Sequence, residues 1–237
     1  MTSEHVPARP SERGLVSPVA PARALGWVTA PEWTAPAASA VDRAPLATLE
    51  PLQTPVDEGL IEVAADLPPG KALDLGCGSG QNAIWLAERG WVVTAVDLSA
   101  GALAEARSAA GAAGVTIVWE LADITAWQPA SRYDLVVSTF ALPPRGMGRG
   151  RMLDMAAAAV APGGSILVSE FDVALAREGR MAEKYLVSTE EVERHLDGFR
   201  VNRSRTRLAR HRHGYEEIVV PVATVVATRR TDLRSPW

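Results

Sequence analysis

The chain has 237 residues, 47% hydrophobic and 22% charged, proportions typical of a globular protein with one substantial core. Its formal net charge of -4 gives no overall attraction to nucleic acid or to an anionic membrane. The single cysteine, Cys77, excludes an intramolecular disulfide and a zinc site built from cysteines, and we predict no metal site.

Residues 1–48 differ from the rest of the chain by their many prolines and alanines, which oppose long helices and central strands. One interpretation is a partly flexible leader; Trp27 and Trp33 favour another, in which the segment docks over the mouth of a site as a lid. We assign residues 49–237 to one domain. The sequence has no secretory signal and no apolar run of membrane-spanning length, so we expect a cytoplasmic protein.

From Pro55 onward, helix and strand signals alternate. The predicted helices, with their capping residues, cover 56–65, 83–88, 99–109, 152–160 and 188–195, and the predicted strands cover 72–75, 91–96, 115–121, 133–139, 165–169, 199–210 and 216–228. The alternation predicts parallel strands joined by crossover helices, and the last two strands predict a hairpin. We therefore expect an α/β fold: a Rossmann-like, mostly parallel seven-stranded sheet with helices on both faces and a C-terminal antiparallel hairpin.

A glycine-rich turn follows the first predicted strand, in the run Leu73-Asp74-Leu75-Gly76-Cys77-Gly78-Ser79-Gly80. Glycines allow a tight turn and a close approach to a ligand, while the next helix offers free N–H groups. The spacing G-x-G-x-G differs from the usual dinucleotide pattern G-x-G-x-x-G. Asp97 ends the second strand, where a carboxylate can accept both hydroxyls of a ribose, and Asp123 follows the third. The turn alone is compatible with either a dinucleotide or a sulfonium cofactor.

Together these residues resemble the class I S-adenosylmethionine-dependent methyltransferases, over about residues 55–230. The resemblance implies S-adenosylmethionine as the cofactor and S-adenosylhomocysteine as the product. In that family the first-strand turn holds the amino acid part of the cofactor, the acid after strand two binds ribose, and the acid after strand three contacts adenine. The cofactor residues implied in this way are Asp74, Gly76, Gly78, Gly80, Asn82, Asp97, Leu98, Asp123, Ile124 and Ser138.

A narrower resemblance, to the tellurite-resistance methyltransferase branch, rests on Gly78 to Ala87, Tyr133 to Thr139 and Val222 to Arg229. Members of that branch methylate soft chalcogen anions and sometimes thiols, and they carry a His-Arg pair on the penultimate strand. The resemblance makes His211 and Arg212 the expected catalytic residues, the arginine holding an anion and the histidine orienting or deprotonating the acceptor. The alternative for this pair is a solvated hairpin tip.

We expect an enzyme that methylates a small-molecule acceptor, preferably a soft chalcogen or thiol nucleophile. Gln81 stands where the branch commonly has an arginine, which weighs against strictly anionic acceptors. The alternative acceptor is an oxygen or nitrogen of a specialised metabolite, which a leader acting as a lid would suit. A nicotinamide-dependent oxidoreductase and a non-catalytic cofactor-binding scaffold are the rival classes. We expect no nucleic-acid or membrane partner, and either a monomer or a homodimer.

Overall fold

The structure, a computed structural model, describes residues 55–177, 179–213 and 216–231, and describes side chains there except at residues 211–218. The predicted leader, residues 1–48, lies outside the described residues. The strands are β1 (Lys71–Leu75), β2 (Val92–Asp97), β3 (Val118–Leu121), β4 (Tyr133–Thr139), β5 (Val160–Phe171), β6 (Phe199–His213) and β7 (Glu216–Arg229). The α-helices are α1 (Glu58–Ala64), α2 (Gln81–Glu88), α3 (Ala100–Ala113), α4 (Arg149–Ala159), α5 (Ala174–Arg177) and α6 (Thr189–Glu193). None of the described helices is both long and apolar enough to cross a membrane.

The seven strands form one sheet in the order β3-β2-β1-β4-β5-β7-β6. The first five strands pair in parallel, whereas β7 pairs antiparallel with both β5 and β6. The predicted fold is therefore confirmed, including the terminal hairpin. The strand order reverses between β1 and β4, and in such sheets ligands bind outside the carboxyl ends of the strands at this switch point.

Two hydrophobic layers cover the faces of the sheet, because successive side chains of a strand point to opposite sides. Leu73, Val136 and Ile166 pack with α4 on one face. On the other face, Ala72 and Leu135 pack with residues of α1, α2 and α3. Buried parallel strands covered by helices on both faces hold the strand ends in fixed positions, which is what a site at their edge requires.

The two predicted serine N-caps are confirmed, whereas α3 runs four residues beyond its predicted end at residue 109. The hydroxyl of Ser99 accepts a hydrogen bond from the N–H of Ala102 at the start of α3, and that helix stops at Gly114, which has a left-handed φ of 70°. Ser188 accepts from the N–H of Glu191 at the start of α6, as the capping-box pattern predicts.

Between the predicted helix at 152–160 and the predicted strand at 165–169, the run Pro162-Gly163-Gly164 predicts a break in secondary structure, and the structure differs there. The helix already ends at Ala159, and β5 begins at Val160 and runs through the proline and glycines. A register irregularity against β4 accommodates them, and proline, which lacks an N–H, is tolerated in a sheet at such irregular points.

Candidate functional site

The turn after β1 requires glycine at two positions. Gly76 and Gly80 have left-handed φ values of 69° and 86°, a region that side chains disfavour. A Cβ at Gly76 would lie 2.3 Å from the Cβ of Ala141, and one at Gly80 would lie 2.8 Å from the ring of Trp119. Gly78, with a φ of 53°, faces open space instead. The turn is therefore packed from behind at its two ends and open in its middle.

Asp97, the last residue of β2, fixes the middle of the turn. One carboxylate oxygen accepts the N–H of Gly78 at 2.8 Å, and the other accepts the N–H of Ser99 at 2.8 Å. Each oxygen has a second lone pair, so the carboxylate can still accept two further hydrogen bonds. Leu98 follows with 57% of its surface exposed, beside these oxygens in the chain.

Asp74 and Ser138 contribute polar atoms buried on neighbouring strands. Asp74 is only 1% exposed, and among the described residues its carboxylate has no hydrogen bond of ordinary geometry, although the backbone N–H of Ala83 acts on it and opposes the rise of its pKa. The Ser138 hydroxyl has no hydrogen-bond partner there either. Burial, and secondly the charge of Asp97, raise the pKa of Asp74 from 3.8 to about 7. The two residues lie one register position apart across the pair of β1 with β4. Because successive side chains of a strand alternate, this offset places the two side chains on opposite faces of the sheet, so one ligand at the strand ends would not meet both.

Asp123 and Ile124 follow β3 at the far side of the same edge. The Asp123 carboxylate accepts hydrogen bonds from the N–H and the hydroxyl of Thr125, both at 2.8 Å, and these bonds lower the pKa of Asp123. Asp123 is exposed, whereas Ile124 is buried in the core. The acid is thus held ionised at the surface, with an apolar residue next to it.

A cavity of about 510 Å³ opens between the carboxyl ends of β1 and β4. It is lined by Pro55, Val56, Asp57, Glu58, Gly76, Cys77, Gly78, Ser79, Gln81, Asn82, Thr139, Phe140, Arg207, Ala209 and Arg210. Three predicted cofactor residues, Gly76, Gly78 and Asn82, are among them. The other seven lie outside this lining, along the strand ends and in the turn described above.

Asn82 joins three elements around the cavity. Its amide nitrogen donates to the hydroxyl of Thr139 at 2.8 Å, at the end of β4. Its amide oxygen accepts the backbone N–H of Asp57 at 3.1 Å, at the N-cap of α1. Asn82, in the first turn of α2, therefore holds the ends of β4 and α1 in place.

An ion pair on the same side of the cavity was not predicted from the sequence. The guanidinium of Arg207 on β6 lies 2.7 Å from the carboxylate of Asp57, and both side chains are less than 10% exposed. Asp57 was recognisable only as an N-cap acid, and Arg207 only as one arginine in an alternating run. We refer to Asp57, Asn82, Thr139 and Arg207 as the polar wall of the cavity.

Phe140, just after β4, is the one non-glycine residue with a left-handed φ, at 53°, in the part of the chain that is described. Its N–H donates to the Ser169 carbonyl at 2.8 Å, and its ring lies 4.9 Å from that of Phe171. Such strain persists only where surrounding contacts hold it, and it is common at binding sites. Nearby, burial raises the pKa of Glu170 to about 7, although its carboxylate accepts the N–H groups of Leu142 and Phe171.

Cys77 lies inside the turn but is a poor nucleophile. Burial, together with the charges of Asp74 and Asp97, raises the pKa of its thiol far above the ordinary value, so the reactive thiolate is suppressed. The side chain acts as a small buried filler, which is the role that the sequence favours.

The predicted catalytic pair, His211 and Arg212, lies in β6, where the two residues pair with Ile218 and Glu217 of β7. The side chains of the pair fall outside the described residues, so their catalytic role stays a prediction. Across the described chain, no group of three or more His, Cys, Asp or Glu side chains is placed to hold a metal ion.

Comparisons with known proteins find sequences that are similar to parts of this chain. Residues 72–164 match a family model described as a methyltransferase domain. A probable S-adenosyl-L-methionine-dependent methyltransferase, TehB of Haemophilus influenzae (strain 10810), is 33% identical over 86 residues, which cover 36% of this chain and 30% of TehB. Trans-aconitate 2-methyltransferase of Streptomyces avermitilis is 39% identical over 90 residues, covering 35% of this chain and 33% of that enzyme. The matches span between 11% and 41% of the curated relatives' own lengths.

Solved structures share the fold. The crystal structure of TehB from Haemophilus influenzae has a TM-score of 0.64 at 20% identity, covering 74% of this chain and 63% of TehB. A structure concerned with the conversion of a disulfide bond into a thioacetal group during echinomycin biosynthesis has a TM-score of 0.62 at 22% identity, covering 76% of this chain and 84% of that one. At these identities the likeness shows a common sheet architecture.

Proposed function

Because the chain belongs to the class I S-adenosylmethionine-dependent methyltransferases, we propose that it transfers the methyl group of S-adenosylmethionine to a small-molecule acceptor. One observation carries the proposal: a turn held open at Gly78 by Asp97, beside a cavity at the switch point of the sheet. The protein acts, on this proposal, in the cytoplasm as a monomer or homodimer, without a nucleic-acid or membrane partner.

The residues at the strand ends fit this cofactor. The free lone pairs of Asp97 suit the two hydroxyls of a ribose, and Leu98 supplies an apolar neighbour. Asp123 and Ile124 suit the amino group and the ring of adenine. The open turn at Gly78 suits the amino acid part, and Asp74 and Ser138 are the proposed cofactor residues on the two strands behind it. Gly76 and Gly80 keep the turn in shape, and Asn82 fixes the cavity beside it.

Bound S-adenosylmethionine supplies an electrophilic methyl group on a positively charged sulfur. The acceptor atom forms a bond to this carbon while the old carbon–sulfur bond breaks, its electron pair staying on the cofactor sulfur, and S-adenosylhomocysteine is the product. A thiol acceptor also loses its proton, to solvent or to His211, and an ordinary thiol pKa of about 8.5 allows this near neutral pH. The chain's own part is to orient the acceptor and exclude water.

Our preferred acceptor is a soft chalcogen or thiol nucleophile, supported by the similarity to TehB. The test is release of S-adenosylhomocysteine by the full chain over a panel of tellurite, selenite, thiols, phenols and amines. We expect the fastest turnover with a soft acceptor. Turnover confined to phenols or amines would overturn this preference, and no turnover with any class would overturn methyl transfer itself.

His211 and Arg212 are the proposed catalytic residues for that reaction. If the histidine orients or deprotonates the acceptor, His211→Ala lowers kcat by about 100-fold or more. His213→Ala, two residues along the same strand, is the matched control and is expected to change kcat little. Equal effects of the two substitutions would indicate a solvated hairpin tip.

The second candidate acceptor is an oxygen or nitrogen of a specialised metabolite. It is favoured by the position of Pro55 and Val56 in the cavity lining, since the chain that precedes them is attached at this wall. If the leader, residues 1–48, acts as a lid over a bulky acceptor, deleting residues 1–45 abolishes turnover and leaves the affinity for S-adenosylhomocysteine unchanged. Unchanged turnover after the deletion would remove the lid from the proposal.

A further inference from the structure

The charges of the polar wall are paired with one another. Arg207 uses all three of its nitrogens: one faces Asp57 at 2.7 Å, one faces Glu58 at 3.3 Å, and Nε donates to the hydroxyl of Thr224 at 3.0 Å. Because the guanidinium is less than 10% exposed, its main interaction is with a carboxylate that is also buried. Its positive charge is therefore cancelled before any acceptor enters.

Both carboxylate oxygens of Asp57 also have partners. One carboxylate oxygen pairs with Arg207, and the other accepts the N–H of Leu60 at 3.2 Å and the hydroxyl of Ser169 at 3.3 Å. Moving this carboxylate away from the arginine would also release the N-cap of α1. The pair is thus held from both sides, by the helix and by the sheet.

The described charged side chains that line the cavity balance each other. Two are acidic, Asp57 and Glu58, and two are basic, Arg207 and Arg210. Glu58 is 59% exposed and Arg210 is exposed too, so solvent screens them more than it screens the buried pair. The least screened charges of the lining, those of the buried pair, sum to zero.

We propose that Asp57 is a specificity-determining residue: by neutralising Arg207 it makes the cavity select acceptors whose body is uncharged over anionic ones. This inference rests on the proposed methyl transfer. An anion at the polar wall would have to share the guanidinium with a buried carboxylate at close range, whereas a neutral molecule meets no net charge. Within the soft-acceptor class, a thiol on a neutral molecule is therefore preferred to an oxyanion such as tellurite.

The test uses three thiols of similar size and different charge: 2-mercaptoethanol, mercaptoacetate and cysteamine. In the full-length protein saturated with S-adenosylmethionine, we expect the highest kcat/KM with neutral 2-mercaptoethanol. Asp57→Asn keeps an N-cap side chain but leaves Arg207 uncompensated, so the ratio of kcat/KM for mercaptoacetate over 2-mercaptoethanol rises by about tenfold. Glu58→Gln, at an exposed position, shifts the ratio in the same direction by less and serves if Asp57→Asn folds poorly.

A charge-matched control separates charge from shape. Arg207→Met leaves Asp57 uncompensated and shifts preference toward cationic cysteamine. The double variant Asp57→Asn with Arg207→Met is neutral again and returns the order of the three thiols to that of the unaltered protein. A merely structural role would lower all three rates in parallel, and that result would overturn the proposal.

A binding measurement keeps this inference distinct from the proposed function. The protein loaded with S-adenosylhomocysteine is titrated with 2-(methylthio)ethanol and methylthioacetate, the products of two of the thiols. A stronger preference for the anion in Asp57→Asn than in the unaltered protein upholds the selection even if no thiol is methylated. A change in S-adenosylhomocysteine affinity alone, with product preference unchanged, would assign the pair to the cofactor and overturn the inference.

Discussion

The strand-end edge of the site (Gly76–Gly80, Asp97 and Asp123) and the polar wall are built in opposite ways. At the strand-end edge, shape comes from backbone turns and from carboxylates that accept N–H groups two residues away, or in the turn that follows the adjacent strand. The polar wall joins Asp57 to Arg207 across 150 residues of sequence. The strand-end edge depends on turn conformation and on its neighbours at the ends of β2, β3 and β4, whereas the polar wall depends on the complete sheet being assembled with β6 in register.

On the proposed function, the strand-end edge serves the reaction with any acceptor, whereas the polar wall serves the choice among acceptors. The cofactor is the same for every acceptor, so the residues that bind it can be specified by a short run of turn residues at fixed spacing. The polar wall, which on the proposed function meets the acceptor, is made of side chains from α1, α2, β4 and β6, and these can change one by one without disturbing the turn. We therefore expect substitutions in the two regions to differ in their effects on the free energy of unfolding and on ligand binding.

The largest expected loss of stability lies in the polar wall. Arg207→Met removes one partner of a buried ion pair and leaves Asp57 uncompensated, which lowers the free energy of unfolding by roughly 3–5 kcal/mol. The double variant with Asp57→Asn is expected to recover most of this loss, since both charges are then gone. Urea unfolding of both variants measures the difference; an Arg207→Met variant as stable as the original would show that the pair contributes no stability.

A pH-dependent effect of similar size is expected from Asp74, beneath the turn. Its pKa rises from 3.8 to about 7, so between these pH values the folded protein keeps a proton that the unfolded chain has lost. The free energy of unfolding in the absence of ligand therefore falls as pH rises from 4 to 7, by roughly 4 kcal/mol from this group, and levels off above.

Asp74→Asn removes this contribution, and the difference between its urea-unfolding curves and those of the original protein isolates it. Glu170, whose pKa is also raised to about 7, contributes to the same fall of the unfolding free energy with pH. Glu170→Gln is the matched comparison, because it removes the contribution of Glu170 and keeps that of Asp74. Parallel pH profiles for Asp74→Asn and the original protein would mean that Asp74 is not protonated in the folded state at pH 5.

The sequence predicted the local region far better than the long-range one. The bounds of β4, the G-x-G-x-G turn and the N-caps of α3 and α6 depend on neighbouring residues, so a pattern of a few positions was enough. The ion pair required knowing that α1 docks beside β6, which no short pattern encodes. The run through Gly163 was assigned to a break because the sequence does not show that β4 and β5 meet with an irregular register.

The two ends of the turn allow a smaller, sharper comparison with its middle. Gly76→Ala adds a methyl group against Ala141 in a left-handed conformation and is expected to cost roughly 2–5 kcal/mol of unfolding free energy. Gly78→Ala has the same backbone problem but open space, so its cost is about 1–2 kcal/mol. Equal losses would mean that packing behind the turn does not determine its shape.

Asp123 gives the smallest effect on stability and tests whether the strand-end edge acts on ligand alone. Its carboxylate is exposed and bonded only to Thr125 among the described residues, so Asp123→Ala is expected to change the free energy of unfolding by less than about 0.5 kcal/mol. If this acid contacts the cofactor, the same substitution weakens S-adenosylhomocysteine binding by about tenfold, the loss of one charge-assisted hydrogen bond. Calorimetric titration measures the affinity, with Asp134→Ala on β4 as the control for removing an acid elsewhere. An unchanged affinity would mean that Asp123 does not contact the cofactor. The cofactor residues that the sequence pattern predicts would then be limited to the turn and to Asp97, at the end of β2.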